Sequence, residues 1–347
     1  MNAFPLEAIK NMEPNALVLK VETGEISLLK SFGVNYRVYL RKIITGPRPS
    51  FSHISKIIKW EMGLFIMNFI VGPICRFVLW CILLGGKGPK DAAYWRKKRA
   101  KAVKLGKVLF PDYIEGEFAK SDKGLIIGFN HPSLHEILSL IVWSLSLFPD
   151  RRNNFPTNLP WYESICSLVP KARKIGIYVT PLITQNTFKK LEAIHAGNDE
   201  VIETITKVSR ILLNHYFDVA VDFGNTGDNT FTAPSAARQK TIFPSLGAFN
   251  KNFEEARLLP AMSGLILKIV RANRGKKVDL YFLPVTIVPP PTLIKKANGL
   301  ELFRRYKLVT GMGFTLDEAK KLGRDFDYEF LRRIADNAPA SLWYPTI

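Results

Sequence analysis

An apolar run of 23 residues, Met62 to Leu84 (MGLFIMNFIVGPICRFVLWCILL), limits what this chain can fold into more than any other feature. As one straight helix it would cross a bilayer core of roughly 30 Å. Gly72-Pro73 interrupts it in the middle, because proline removes a backbone N–H and clashes with the preceding turn. Arg76 then puts a charge near the centre, at about 2.5–3.5 kcal/mol on insertion scales. Two short helices dipping into one leaflet satisfy both constraints. A spanning helix and a buried core helix remain the alternatives.

A basic segment follows. Lys87 to Lys107 holds nine Lys/Arg (Lys87, Lys90, Arg96, Lys97, Lys98, Arg99, Lys101, Lys104, Lys107) and one acid, Asp91. Ala92, Ala93, Trp95, Ala100, Val103 and Leu105 lie between them, so an interfacial helix is expected. The whole chain carries 49 Lys+Arg against 30 Asp+Glu, a formal +19, which calls for an anionic partner. Nucleic acid would need aromatics interleaved with the cations, and only Tyr94 and Trp95 are there. The expected partner is therefore the anionic surface of membrane lipids, not nucleic acid. Cys75, Cys81 and Cys166 cannot form a fully paired disulfide framework, which suits reduced thiols on the cytoplasmic side. Residues 1–20 contain Glu7, Glu13 and Pro14 with no basic stretch leading into an apolar core, so no secretory signal is expected there. The expected location is membrane-associated, at the cytoplasmic face.

The remainder alternates strand-like and helix-like segments. Gly124 to Phe129 (GLIIGF) reads as a buried strand, Glu136 to Phe148 as an apolar helix and Ile175 to Val179 as a strand. Val201, Ile202, Ile205, Val208, Ile211 and Leu212 give Asp199 to Tyr216 a helical period. Asp218–Phe223 and Lys240–Phe243 read as strands, Pro260–Arg271 as a helix and Val278–Val288 as an apolar strand. A final helix is expected over Thr315–Ala335, with Thr315 and Glu318 as a capping box. The expected fold is α/β: a mixed, mostly parallel sheet flanked by helices, with an N-terminal apolar helical hairpin. The expected organisation is an extension over 1–56, the hairpin and basic helix over 57–107, an α/β catalytic domain over 108–299 and a helical tail over 300–347.

Asn130-His131-Pro132-Ser133-Leu134-His135-Glu136 is the stretch richest in chemistry. It lies where a strand ends and a helix begins, a common place for active-site groups in α/β sheets. Pro132 suits a first helical position and leaves His131 outside the helix, so Glu136 can reach back to one imidazole nitrogen. A carboxylate there fixes the tautomer and stabilises the imidazolium formed when the other nitrogen takes a proton. Such a pair can deprotonate a hydroxyl or amine attacking an ester or thioester. A zinc site is the competing reading, since His131 and His135 are four residues apart. Its further ligands would have to come from His195, His215 or Asp222, far off in sequence.

On these residues the chain resembles the glycerolipid and lysophospholipid acyltransferases, whose first motif is N-H-x-x-x-x-D. Here Asn130 and His131 match, with Glu136 in place of the acid. The order of features is also similar: an apolar hairpin, the W-R-K-K-R stretch Trp95–Arg99, Tyr113-Ile-Glu-Gly-Glu117, and far downstream Phe282-Leu-Pro-Val-Thr-Ile-Val288, like the family's fourth motif. The resemblance covers about residues 60–290. The family's F-P-E-G-T-R is best matched by Phe243-Pro244-Ser245-Leu246-Gly247-Ala248, which keeps Phe243 and Pro244 but has Ser245 and Ala248 where the family has Glu and Arg. Asp222–Asp228 is the other placement, and Gly176–Thr180 loosely matches the second motif. The family's arginines are thought to hold the acceptor's phosphate, a task suited to a bidentate fork. Arg173, Lys174, Arg238 and Arg257 are the nearby cations that could replace them.

The resemblance implies an acyltransferase moving an acyl chain from acyl-CoA or acyl carrier protein to a hydroxyl or amine of a lipid-like acceptor. His131 is then the general base and Glu136 orients it. Asn130, Ser133 and the Phe243, Pro244, Ser245 and Gly247 loop line the site, with Gly247 near the oxyanion and Arg257 near the acceptor. No metal or redox cofactor is expected, and the thioester is the co-substrate. A catalytically inactive lipid-binding relative is the alternative.

Overall fold

The structure is a computed structural model; it describes residues 1–34, 69, 72–85, 90–109, 113–114, 123–129, 136–232, 279–288 and 307–336. The chain divides into two units. The first contains Met1–Leu84, Pro156–Lys174 and Val179–Tyr216; the second contains Gly85–Phe155, Ile175–Tyr178 and Phe217–Ile347.

The first unit is mainly helical. Helix Pro14–Glu22 starts on proline, whose fixed φ suits the first helical position, and buries Leu17, Val18 and Val21. The N-terminal residues are held through two acids, Glu163 from elsewhere in the unit and their own Glu22. Glu163 accepts from Ser27 Oγ (2.6 Å) and from the Leu29 backbone N–H (3.1 Å). Burial pushes the Glu163 carboxyl up from its ordinary value, and those hydrogen bonds pull the other way. Glu22 receives Arg173 Nη2 at 2.8 Å, and its other oxygen lies 3.1 Å from His215 Nε2. The apolar run is described only from Gly72, apart from Phe69. There it forms helix Gly72–Leu83. The first arm of the expected hairpin lies outside the described residues. Among those described, no helix is long and apolar enough to cross a membrane.

Helix Asp199–Asn225 begins with Asp199 and Glu200, which favour the positive end of the helix dipole. It buries Val201, Ile205, Val208, Leu212 and Tyr216 as the sequence period requires. It then continues through Asp218–Phe223, where a strand was expected. The reason is visible in the burial: Phe217, Ala220 and Val221 are inside while Asp218, Asp222 and Asn225 face out, a period near 3.6 rather than 2. Gly227, at φ +75°, then turns the chain into the next strand.

The described strands are β1 (Tyr113–Ile114), β2 (Gly124–Phe129), β3 (Asn153–Asn158), β4 (Ile177–Leu182), β5 (Asn229–Thr232), β6 (Leu280–Val288), β7 (Lys307–Thr310) and β8 (Phe314–Thr315). Their order is β1-β7-β6-β2-β5-β3-β4, with β8 beside β6. β2 runs parallel to both β5 and β6, β3 to β5, and β1 to β7; β6 is antiparallel to β7 and β8. The sheet is thus mixed and mostly parallel, as expected. β4 starts two residues later than the apolar pattern suggests, because Gly176 sits at φ +84°, outside strand geometry. Residues 307–310 and 314–315, within the segment read as a helical tail, add strands to the sheet. The expected Lys240–Phe243 strand and Pro260–Arg271 helix lie outside the described residues.

Both faces of β2 are covered. Leu125, Ile127 and Phe129 join Leu283, Val285, Phe155 and Phe231 in a core that packs Leu140 and Trp143 of helix Glu136–Leu147. On the other face, Gly128 meets the C-terminal helix Phe326–Asp336. A Cβ on Gly128 would come within 2.0 Å of the Phe330 ring, and Phe282 meets Phe326 edge-on at 5.0 Å between centroids. Gly124 is needed for a second close approach, since a Cβ there would lie 2.4 Å from Gly224 Cα. The capping box forms: Thr315 Oγ1 accepts from the Glu318 N–H, and Glu318 accepts from the Thr315 N–H at 2.7 Å. The single C-terminal helix expected after it is instead two, Leu316–Leu322 and Phe326–Asp336. They are separated at Gly323, whose φ of +56° ends the first helix.

Candidate active site

β2 contributes six consecutive buried residues and lies between two parallel neighbours. A segment with no polar side chain, flanked on both sides, is the signature of a central parallel strand. Its last residue, Phe129, pairs with Val285, and Gly128 pairs with Thr232, the last residue of β5. β2, which precedes His131 in the chain, and β5, which precedes Phe243, therefore end at one edge, the carboxyl edge of the parallel strands. In open α/β sheets ligands bind outside that edge. The strand order adds a reason. From β5 the chain must pass to the far side of β2 to become β6, so its path changes side at the strand that ends in the motif.

The helix that follows the N-H-x-x-x-x-E pattern is described over Glu136–Leu147. The helix is fixed from below: Trp143 is 1% exposed and meets Phe148 and Phe231 edge-on, at 6.0 and 6.5 Å. It also packs on helix Ala92–Leu109, where Gly106 leaves space for Val142; a Cβ would stand 2.4 Å from Val142 Cγ2. Both ends of the motif are thus anchored by packed elements, the strand at Phe129 and the helix at Glu136.

Asn130, His131, Ser133, Phe243, Pro244, Ser245, Gly247 and Arg257 lie outside the described residues, as does the Glu136 side chain. Two of the distant stand-ins are engaged elsewhere, and Arg238 and Arg257 lie outside the described residues. Arg173 is paired with Glu22 in the first unit, and so is His215. Asp222 to Asn225 form the end of a helix, and Asp228 binds Arg152, so this glycine-bearing stretch is a helix end and turn rather than a phosphate loop. Among the described residues no group of three or more His, Cys, Asp or Glu is placed to hold a metal ion; His131 and His135 are not among them.

Two residues behind the motif were not singled out from the sequence: Gly128 and Phe330. The glycine inside an otherwise apolar strand was the available signal, because such a glycine marks a close approach. The basic helix also differs in detail from its sequence pattern. Lys98 is 5% exposed and donates to the Gly85 carbonyl, its ammonium 5.2 Å from the Tyr94 ring centroid. Arg99 donates to the carbonyls of Ile175 (2.9 Å) and Pro149. Burial lowers the Arg99 guanidinium from its ordinary value, and Asp150 and Asp228 offset part of that. These two cations are therefore framework rather than surface.

No family model and no curated protein matches the chain. Among solved structures it is similar to the 1-acyl-sn-glycerophosphate (LPA) acyltransferase PlsC of Thermotoga maritima, at 13% identity and a TM-score of 0.43, over 81% of this chain and 93% of that one. A likeness this loose carries no argument.

Proposed function

We propose that the protein is a membrane-associated acyltransferase. It moves an acyl chain from a thioester, acyl-CoA or acyl carrier protein, to a hydroxyl or amine of a lipid-like acceptor. His131 removes the proton from the acceptor as it attacks the thioester carbonyl. Glu136 holds the imidazole in the right tautomer and stabilises its cation. The imidazolium then returns the proton to the departing thiolate. Asn130, Ser133 and the loop from Phe243 to Gly247 line the site, and backbone N–H groups near Gly247 face the oxyanion. Arg257 lies toward the acceptor.

One observation carries this reading: the N-H-x-x-x-x-E segment joins the carboxyl end of the central parallel strand, at Phe129, to a helix described from Glu136 onward. Membrane association is supported by helix Gly72–Leu83, where Ile74, Phe77 and Trp80 are each more than half exposed at three-residue spacing. Such an aromatic and aliphatic stripe suits the bilayer interface.

The test is incubation of the purified chain with a labelled acyl thioester and a crude lipid extract. Labelled lipid should form, His131→Ala and Glu136→Ala should lose it by at least about 100-fold, and Glu136→Asp should keep much of it. Lipid capture without turnover, unaffected by Glu136→Ala, would instead support an inactive binding relative, the reading that Ser245 and Ala248 at the third motif favour.

A further inference from the structure

We infer that one face of helix Ala92–Leu109 is a docking surface for the headgroups of an anionic phospholipid bilayer, so that the protein selects membranes by charge. The inference rests on the membrane association proposed above and names its partner. The helix contains no acid along its 18 residues. Arg96, Lys97, Lys101, Lys104 and Lys107 are all exposed. Their three- and four-residue steps put them on one side, over about 16 Å of helix at 1.5 Å per residue. The opposite side, with Lys98, Ala102 and Gly106, is buried. Arg96 lies 3.9 Å from Asp150 with both side chains largely in solvent, an arrangement that contributes little.

Three observations favour lipid over nucleic acid as the occupant. The two aromatics on the helix, Tyr94 and Trp95, pack edge-on against each other at 4.9 Å and are half-buried, so they form no stacking platform for bases. In sequence the helix follows the exposed apolar stripe of Gly72–Leu83 after only eight residues. The cations flank exposed Val108 and small alanines, a face able to lie flat on headgroups.

The experiment is sedimentation of the full chain with vesicles of pure phosphatidylcholine or with 30% phosphatidylglycerol added, over a range of salt. The probe variant is Lys97→Gln/Lys104→Gln/Lys107→Gln. Near an anionic surface each cation is worth about fivefold in affinity, so the triple variant should bind the anionic vesicles about 100-fold more weakly. It should bind phosphatidylcholine vesicles as the parent does, melt at the same temperature, and acylate acceptor in neutral detergent micelles at the parent's rate. Equal binding of parent and variant to anionic vesicles would overturn the docking surface while leaving membrane association intact, as would tighter binding of the parent to a nucleic acid duplex than to the vesicles at the same salt. Failure of the parent to bind either vesicle would remove the membrane reading with it.

Discussion

Gly128→Ala should weaken the protein through one identifiable collision. The new methyl would stand 2.0 Å from Phe330 Cε1 and 2.5 Å from Cζ, against an ordinary carbon–carbon contact of about 3.5–4.0 Å. The ring must therefore withdraw by more than 1 Å, on the order of one carbon radius. It cannot simply swing aside, because Phe314 and Phe326 flank it at 6.0 and 5.9 Å between centroids. Overpacking of a tight core costs about 1–3 kcal/mol, and a site closed on several sides belongs at the upper end. A loss of about 2–3 kcal/mol would lower the melting temperature by roughly 3–4 °C at this chain size. Phe330→Leu alone should also destabilise, by leaving a void. The decisive result is the double variant, since the smaller leucine makes room for the methyl. The two losses should fall short of additivity by at least about 1 kcal/mol in a double-mutant cycle read by urea unfolding. Strict additivity would show that Gly128 and Phe330 do not meet, and would remove the C-terminal helix as the support behind the motif strand.

Asp228 accepts from the Arg152 N–H (2.6 Å), Arg152 Nε (2.7 Å) and Thr226 Oγ1 (2.5 Å) while almost fully buried. Asp228→Ala should cost about 2–3 kcal/mol, below the usual range for a broken buried pair because Arg152 still reaches water; a melting temperature within 1–2 °C of the parent's would contradict this. Arg99→Met should cost about 2 kcal/mol by abandoning two carbonyls, whereas Lys97→Gln on the outer face should stay within about 0.5 kcal/mol, and similar losses for the two would erase the division of the basic helix. Burial raises the Glu22 carboxyl, but the hydrogen bonds from His215 and Arg173 outweigh it and hold the group below its ordinary value. Its contribution is then fully present above the unfolded carboxylate pKa of about 4.3 and fades as pH falls through the lower folded value. The stability gap between the parent and Glu22→Gln should accordingly be widest near pH 7 and close toward pH 3; a gap constant over that range would refute the pairing.

What could be read from the chain in advance was local. GLIIGF announces a strand through composition alone, and β2 occupies the residues expected. Thr315 and Glu318 form their capping box because both partners lie within one helical turn. Asp218–Phe223 misled because a short apolar stretch looks like a strand until the preceding helix is seen to supply its period. Lys98 and Arg99 could not be told from their neighbours, since burial against Gly85, Pro149 and Ile175 depends on distant chain. Nor could the anchoring of residues 1–34, which comes from Glu163, Arg173 and His215 far along the sequence. For the candidate site, the residue types came from the sequence, and the fold shows that β2 and β5, which precede the His131 and Phe243 segments, end at the same edge, at Phe129 and Thr232.

The pairing of β2 has a cost during synthesis. Leu125 must find Asn229 on one side and Tyr281 on the other, each more than a hundred residues later in the chain. Until the ribosome has delivered both, a six-residue strand with four oily side chains and unpaired amides waits without neighbours, a template for intermolecular strand addition. Low yield and aggregation of shortened versions ending before residue 280 would follow from this delay, and holdase chaperones should rescue the nascent protein.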